Sequence, residues 1–264
     1  MIVDGLAIAE DMYVGLAPFF AGRQARLGLL VVGVDAVIGS FVRIKTRGAQ
    51  RLGIETVRID LPGNATTEDV VDRTQKLANE TDAIIVQLPL PDAVDVNAAL
   101  SSIPPGKDVD ALNPRHSIER FVEAPVALAV VEILERAKVD IAGKRAVVVG
   151  AGRLVGAPTA SLLKKYGADV SMFTLEQGSI EDLKGADIVV LGAGKPGFIK
   201  PEHLKKGVAL IDAGASEQAG KIRGDADPAC AEVASVFSPV PGGVGPVAVA
   251  MIFRNLKTLI EKEK

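Results

Sequence analysis

Lys144-Arg145-Ala146-Val147-Val148-Val149-Gly150-Ala151-Gly152-Arg153-Leu154-Val155-Gly156 is the stretch that decides how this 264-residue chain folds. A basic pair leads into an unbroken apolar run, and the run ends in glycine. Such a run reads as a strand buried on both faces, with a helix to follow. Strand, glycine turn and helix in that order form the repeating piece of a parallel sheet. The same turn is where a dinucleotide pyrophosphate meets helix N-terminal amides. Its spacing, G-x-G-x-x-x-G, is one residue longer than the common fingerprint, and a purely structural strand-to-helix turn fits these residues as well.

Working outward, the alternation continues in both directions. Strands are expected at 169–173, 187–191 and 208–211. Upstream, a helix over 4–17 precedes the buried run Leu27 to Gly33, a helix at 40–52 and a strand at 54–61. A further helix spans 67–79, where Thr67 and Asp69 suit its start. Asp82 to Pro89 reads as a buried strand that stops at proline, and a helix at 125–137 bridges the halves. The fold class is α/β with two domains. Residues 1–122 form one, completed by a C-terminal helix, 246–264, that packs back on it. Residues 123–245 form the other, Rossmann-like in its alternation.

Composition narrows the functions. Hydrophobic content of 48% and charged content of 24% suit a soluble globular chain, and a net charge of −3 offers no footprint for nucleic acid. Aromatic residues are too scarce to stack single strands. No apolar run reaches the roughly 18 residues of a membrane span. Asp4 and Glu10 argue against a secretory signal, so the cytoplasm is the expected location. One cysteine, Cys230, and two histidines, His116 and His203, make neither a disulfide framework nor a metal site.

Five places carry candidate chemistry. Ser238-Pro239-Val240-Pro241-Gly242-Gly243-Val244-Gly245-Pro246 combines fixed φ with glycine freedom, a rigid turn that lets a flat ligand approach the main chain. Pro246 is expected at the first position of the last helix. Gln87 ends a strand, where open α/β sheets bind ligands. Lys107-Asp108-Val109-Asp110 alternates charged and apolar residues in a loop. Lys45 lies on the helix after the first strand, where a lysine alone reads as a solvated charge. Glu176, past the second strand of the later domain, stands where an acidic residue meets a ribose hydroxyl, or is a loop charge.

Together these pieces resemble one family. Phe41-Val42-Arg43-Ile44-Lys45, Gln87-Leu88-Pro89-Leu90-Pro91, Lys107-Asp108-Val109-Asp110, Val148-Val149-Gly150, Val155-Gly156-Ala157-Pro158 and Pro239 to Pro246 occur in the order and approximate spacing of the bifunctional methylene-tetrahydrofolate dehydrogenase/methenyl-tetrahydrofolate cyclohydrolases, the FolD family. The resemblance covers nearly the whole chain. It implies a folate in the cleft between two domains, NAD or NADP on the second, and a homodimer. Lys45 matches the catalytic lysine, Gln87 its partner, and Asp110 the carboxylate that holds the pterin. Pro241, Gly242 and Gly243 bring main chain to the substrate, Gly243 also to the nicotinamide. Gly150, Ala151, Gly152, Arg153, Val155, Gly156 and Glu176 fall on the cofactor side.

The residue types suit the two steps. Hydride transfer needs alignment more than an acid or base. Hydrolysis of the methenyl cation moves protons, and an amine beside a cation gives up its proton more readily. The chain departs from the family at Phe41 (usually Tyr), Ile38 (Ser), Ala111 (Gly), Ala124-Pro125-Val126-Ala127 (a Pro-Cys-Thr-Pro-like segment) and Gly150-Ala151-Gly152 (Gly-Arg-Ser). The lost Arg-Ser pair, with Glu176, tilts the cofactor toward NAD. Phe41, which lacks the tyrosine hydroxyl, leaves open a dehydrogenase with weak or lost cyclohydrolase activity. A silent folate- or dinucleotide-binding regulator is the reading from another class.

Overall fold

The computed structural model describes residues 1–33, 36–114, 121–174, 178–218 and 221–262. It divides into two compact units, Met12–Glu123 with Ile252–Lys264, and Met1–Asp11 with Ala124–Met251. The expected α/β class with parallel sheets is what the chain adopts.

In the first of these units, β1 (Arg26–Val32) lies between β2 (Glu55–Leu61) and β3 (Ala83–Val86), all parallel. Every residue of β1 after Arg26 and all of β3 are buried, as the continuous apolar runs require. Edge strand β2 is partly exposed along its length. α1 (Gly5–Phe20) leads into this sheet, α2 (Ala36–Arg51) links β1 to β2, and α3 (Thr67–Glu80) links β2 to β3. Leu77 of α3 packs fully buried with Leu30, Ile84 and Leu100, each worth about 1.5–3 kcal/mol of burial. Thr66, not Thr67, caps α3: its hydroxyl accepts from the Asp69 N–H at 3.2 Å, and Asp69 accepts from the Thr66 N–H at 2.9 Å. Thr67 instead receives the N–H of Asp95, which caps the short α4 (Val96–Ser101).

In the other unit, α5 (Pro125–Arg136) leads to a five-stranded parallel sheet ordered β10-β7-β6-β4-β5. Its strands are β4 (Arg145–Val149), β5 (Asp169–Phe173), β6 (Ile188–Leu191), β7 (Ala209–Asp212) and β10 (Val236–Ser238). β10, only three residues long, falls below the length at which alternation shows and was not expected. Neither was the antiparallel pair β8 (Ser216–Gln218) and β9 (Lys221–Arg223). β4 runs into the glycine turn and α6 (Gly156–Lys165), and Val147, Val149, Val189, Leu191 and Leu210 form the centre of the core.

Met1–Asp11 group with this second sheet rather than with the first unit, where a boundary at residue 122 had put them. Backbone pairing explains it. Phe237 of β10 donates to Met1 O at 2.9 Å and accepts from the Val3 N–H at 2.8 Å, and Arg136 pairs with Asp11 at 2.7 Å. The last helix, α7 (Val244–Lys262), begins two residues before Pro246. Proline is still at home there, because the first-turn N–H groups have no intrahelical acceptor. Only the later half of α7, from Ile252, groups with the first unit, with Phe253 fully buried and 5.9 Å from the Tyr13 ring, whereas its start groups with the second unit instead of packing back on the first.

Candidate active site

Lys45 is not a solvated helix charge. Ile38, Val42, Ala49 and Leu52 are the buried stripe of α2 and its end, and Lys45 stands in that stripe at heptad spacing. Its side chain is 14% exposed, and Nζ donates to Gln87 Oε1 at 3.0 Å. Gln87 follows β3, its own N–H donates to Leu30 O at 2.9 Å, and its Nε2 donates to Leu88 O at 2.6 Å. Those bonds leave Oε1 aimed at the lysine. Asp110 Oδ2 lies 3.9 Å from the same Nζ. Lysine, glutamine and aspartate thus meet beyond the carboxyl ends of β1 and β3, where the strand order reverses and open sheets take ligands.

The two aspartates of the Lys107–Asp110 loop part company. Asp108 bridges to Ile84 of β3 and turns inward, 1% exposed, accepting from the Asn113 N–H at 2.7 Å. Burial pushes its carboxyl up to about 6 against the backbone N–H donors that lower it. Asp110, in the turn that follows, stays at the Lys45 cluster. Lys107 folds back to cap α3, donating to Ala78 O at 2.6 Å and Thr81 O at 2.7 Å. Sequence reasoning missed Asn255. From the middle of apolar α7 it donates to Val109 O at 2.9 Å and Glu123 O at 2.8 Å, pinning the loop that carries Asp110. The signal was present: one amide in an otherwise apolar helical stripe.

In the other unit, the glycine turn after β4 lies where the sheet order reverses between β4 and β6. Gly150 has φ +99°, and a Cβ on it would stand 2.5 Å from Gly192 O. A Cβ on Gly156 would overlap Gly150 O, whereas one on Gly152 would meet nothing within 4 Å. Two glycines are therefore there for close main-chain packing, and the third leaves the mouth of the turn open. Ala151, Gly152 and Arg153 are exposed, and Val155 is half-buried. A turn this tight at the head of α6 fits a dinucleotide pyrophosphate, which needs main-chain amides and no intruding side chain.

The Pro/Gly turn is as tight. Gly243 donates to Pro239 O at 2.8 Å, a Cβ there would overlap Ser238 Oγ, and Gly242 has φ +103°. Pro241 is exposed, and the Val240–Pro241 and Leu88–Pro89 peptides are cis. Gly5 at the start of α1 donates to Gly242 O at 2.9 Å, which fastens the turn to the first helix.

Comparison with known proteins agrees with both halves. Residues 3–110 match the profile described as tetrahydrofolate dehydrogenase/cyclohydrolase, catalytic domain, and residues 124–264 that of the same family's NAD(P)-binding domain. The chain belongs to the tetrahydrofolate dehydrogenase/cyclohydrolase family. The bifunctional protein FolD of Methanoculleus marisnigri is 38% identical over 97% of this chain and 94% of its own length. Among solved structures, the Campylobacter jejuni bifunctional FolD methylenetetrahydrofolate dehydrogenase/cyclohydrolase is 28% identical, with a TM-score of 0.94 over 100% of this chain and 99% of its own. The Trypanosoma brucei dehydrogenase-cyclohydrolase, complexed with NADP cofactor and inhibitor, is 33% identical, with a TM-score of 0.93 over 100% and 98%.

The departures from the tetrahydrofolate dehydrogenase/cyclohydrolase pattern have local reasons. Phe41 is on α2 one turn before Lys45 and is 40% exposed. Ile38, a hydrocarbon in place of the family's serine hydroxyl, joins the core at 7% exposure. Ala111 carries φ +55°, a left-handed conformation that glycine takes at no steric cost. Ala124 and Ala127 are buried around Pro125, the first residue of α5. Glu176 and His116 lie outside the described residues. His203 Nδ1 accepts from the Lys200 N–H at 3.0 Å, Cys230 is buried, and no metal-binding group occurs among the described residues. Among them, too, no helix is long and apolar enough to cross a membrane.

Proposed function

We propose that the chain oxidises methylene-tetrahydrofolate to methenyl-tetrahydrofolate with a nicotinamide dinucleotide and hydrolyses the product to formyl-tetrahydrofolate. The observation that carries this is the Lys45–Gln87–Asp110 cluster at the carboxyl edge of β1 and β3. The family relationship favours this reading over a silent binding protein, as the cluster does.

Asp110 offers acceptors to the amidine-like donors of the pterin, a charge-assisted pairing. Its 3.9 Å separation from Lys45 leaves it carboxylate capacity for the ring. When bound, the dinucleotide supplies a hydride acceptor. Gly150, Gly152 and Gly156 would hold its pyrophosphate through main chain, with Ala151, Arg153 and Val155 around them, and Gly243 would offer main chain to the nicotinamide. The oxidation step asks this chain for alignment, which Asp110 provides on the folate side.

Hydrolysis asks for more. Water adds to the methenyl carbon, one C–N bond breaks, and one net proton leaves. Lys45 as the free amine takes a proton from the attacking water, and as ammonium returns one to the departing nitrogen. Gln87, anchored through Leu88 O, holds Nζ in place for both transfers. Phe41 keeps the shape of the family's tyrosine beside this lysine without its hydroxyl.

NAD is the cofactor we favour. Ala151 and Gly152 bring no side-chain donor to a 2′-phosphate, and the negative charge of Glu176 would disfavour that phosphate relative to a free 2′-hydroxyl. We also infer a homodimer, paired through an open sheet edge such as β5, where Met172 is exposed. Sedimentation tests the assembly. For activity, methylene-tetrahydrofolate is incubated with NAD or NADP while methenyl formation and decay are followed separately. Absence of reduced nicotinamide at any enzyme concentration refutes the function. A tenfold preference for NADP in kcat/KM, about 1.4 kcal/mol, refutes the cofactor choice.

A further inference from the structure

The second sheet buries two carboxylates that the chemistry above does not use. Past β6 the chain turns through Gly192, Ala193, Gly194 and Lys195. Three successive N–H groups of this turn, those of Ala193, Gly194 and Lys195, donate to Asp225 at 2.7, 3.1 and 2.6 Å. Asp225 is fully buried. Its own N–H donates to Asp212, at the end of β7, at 3.2 Å, and Asp212 also receives Ala226 N–H at 2.8 Å and Gly214 N–H at 3.0 Å. Main chain closes over both groups, since a Cβ on Gly214 would overlap the Asp225 carboxyl and one on Gly224 the Asp212 carboxyl.

Burying a carboxylate is costly, and three amide donors on each offset that cost only if the backbone is held in one shape. The shape held here has a definite neighbour. A Cβ on Gly192 would overlap Val155, and Gly150 already lies against Gly192 O. The β6 turn is thus the wall on which the glycine turn of β4 rests, at the point where the strand order reverses.

We propose that Asp225, seated on Asp212, is a positioning residue for the dinucleotide: its carboxylate fixes the Gly192–Lys195 turn and, through Gly192, the Gly150–Gly156 turn that grips the pyrophosphate. The inference rests on the cofactor reading of that glycine turn. It differs from a general stabilising role in one respect. Hydrolysis of methenyl-tetrahydrofolate uses no dinucleotide, so a positioning role divides the two activities.

The test is Asp225→Asn, which keeps the shape but sets an NH₂ against either the Lys195 N–H or the Ala193 and Gly194 N–H pair. Binding of NADH or NADPH is read by nicotinamide fluorescence, beside KM for the oxidised dinucleotide and the cyclohydrolase rate. The expected result is a tenfold or greater rise in Kd and KM, with cyclohydrolase activity within twofold of the native chain. Unchanged Kd and KM overturn the proposal, as does a parallel loss of cyclohydrolase activity. If Asp225→Asn does not fold, Gly192→Ala decides, because it displaces the same contact from the other side and must give the same division. Gly150→Ala is the control on the underlying reading. If Gly150→Ala binds dinucleotide normally, the glycine turn is not the cofactor site. If Gly150→Ala loses binding while Asp225→Asn keeps it, only the positioning role falls.

Discussion

Replacing Lys45 with methionine separates the two reactions. Methionine is similar in length and keeps the apolar stem in the α2 stripe, so the perturbation is confined to the charge. The bond from Nζ to Gln87 Oε1 at 3.0 Å has a charged donor, worth about 1.5–3 kcal/mol. The Asp110 carboxylate at 3.9 Å adds a gross attraction of about 4 kcal/mol at an effective dielectric near 20, most of which desolvation offsets. Lys45→Met is therefore expected to cost the fold about 2 kcal/mol, a drop of several degrees in Tm. The kinetic effect is larger and one-sided. Loss of general acid–base assistance slows methenyl hydrolysis by about 10²–10⁴, or roughly 2.7–5.4 kcal/mol on the barrier. Oxidation moves no proton through Lys45 and is expected to fall less than about tenfold, through altered alignment alone. The assay follows reduced nicotinamide and methenyl decay in parallel, with folate binding measured by titration. Equal losses in both activities, with folate still bound, refute the division of roles.

Phe41→Tyr restores a hydroxyl one helical turn from Lys45 and is expected to raise the cyclohydrolase rate while leaving oxidation unchanged; no change in either rate removes Phe41 from the proton-handling site. Asp110→Ala is expected to lower kcat/KM for folate by about 1.5–3 kcal/mol, while folded Asp108→Asn stays closer to native, and steady-state kinetics showing the reverse order would overturn the assignment. Ala111→Gly relieves φ +55° and is expected to gain about 0.5–1 kcal/mol in urea denaturation, with a loss of stability as the contrary result. Burial first, and the neighbouring Asp225 charge, push the Asp212 carboxyl up to about 7. The folded chain then holds this proton more tightly than the unfolded chain. The resulting stability is complete below about pH 4 and lost as pH rises toward 7. Native stability relative to Asp212→Asn should accordingly fall by a few kcal/mol between pH 4 and pH 8, and a pH-independent difference measured by denaturation refutes it.

Much of this protein is written locally. The runs Leu27 to Val32 and Ala146 to Val149 become buried central strands because continuous apolar sequence has no solvated face to offer. Gly150 and Gly156 were legible as a tight strand-to-helix turn, since only a residue without Cβ passes so close to main chain. The family motifs singled out Lys45 and Gln87, which the structure brings within 3.0 Å. Boundaries were less legible: Thr66 rather than Thr67 caps α3, and α7 begins before its proline, because cap choice depends on which hydroxyl reaches which amide.

What the tertiary structure alone decided are the pairings between distant positions. Lys45 meets Gln87, 42 residues away, only because parallel pairing of β1 with β3 brings the end of β3 beside α2. The choice between Asp108 and Asp110 is made by the bridge from Asp108 to Ile84, which turns one carboxyl into the core and leaves the other at the lysine. Asn255 reaches Val109 across 146 residues, and Met1 to Val3 join β10 through backbone bonds that no side-chain pattern announces. Periodicity and turn chemistry encode each element, since they act within a few residues. Which elements become neighbours is settled by burying all of their apolar faces at once, a property of the whole chain.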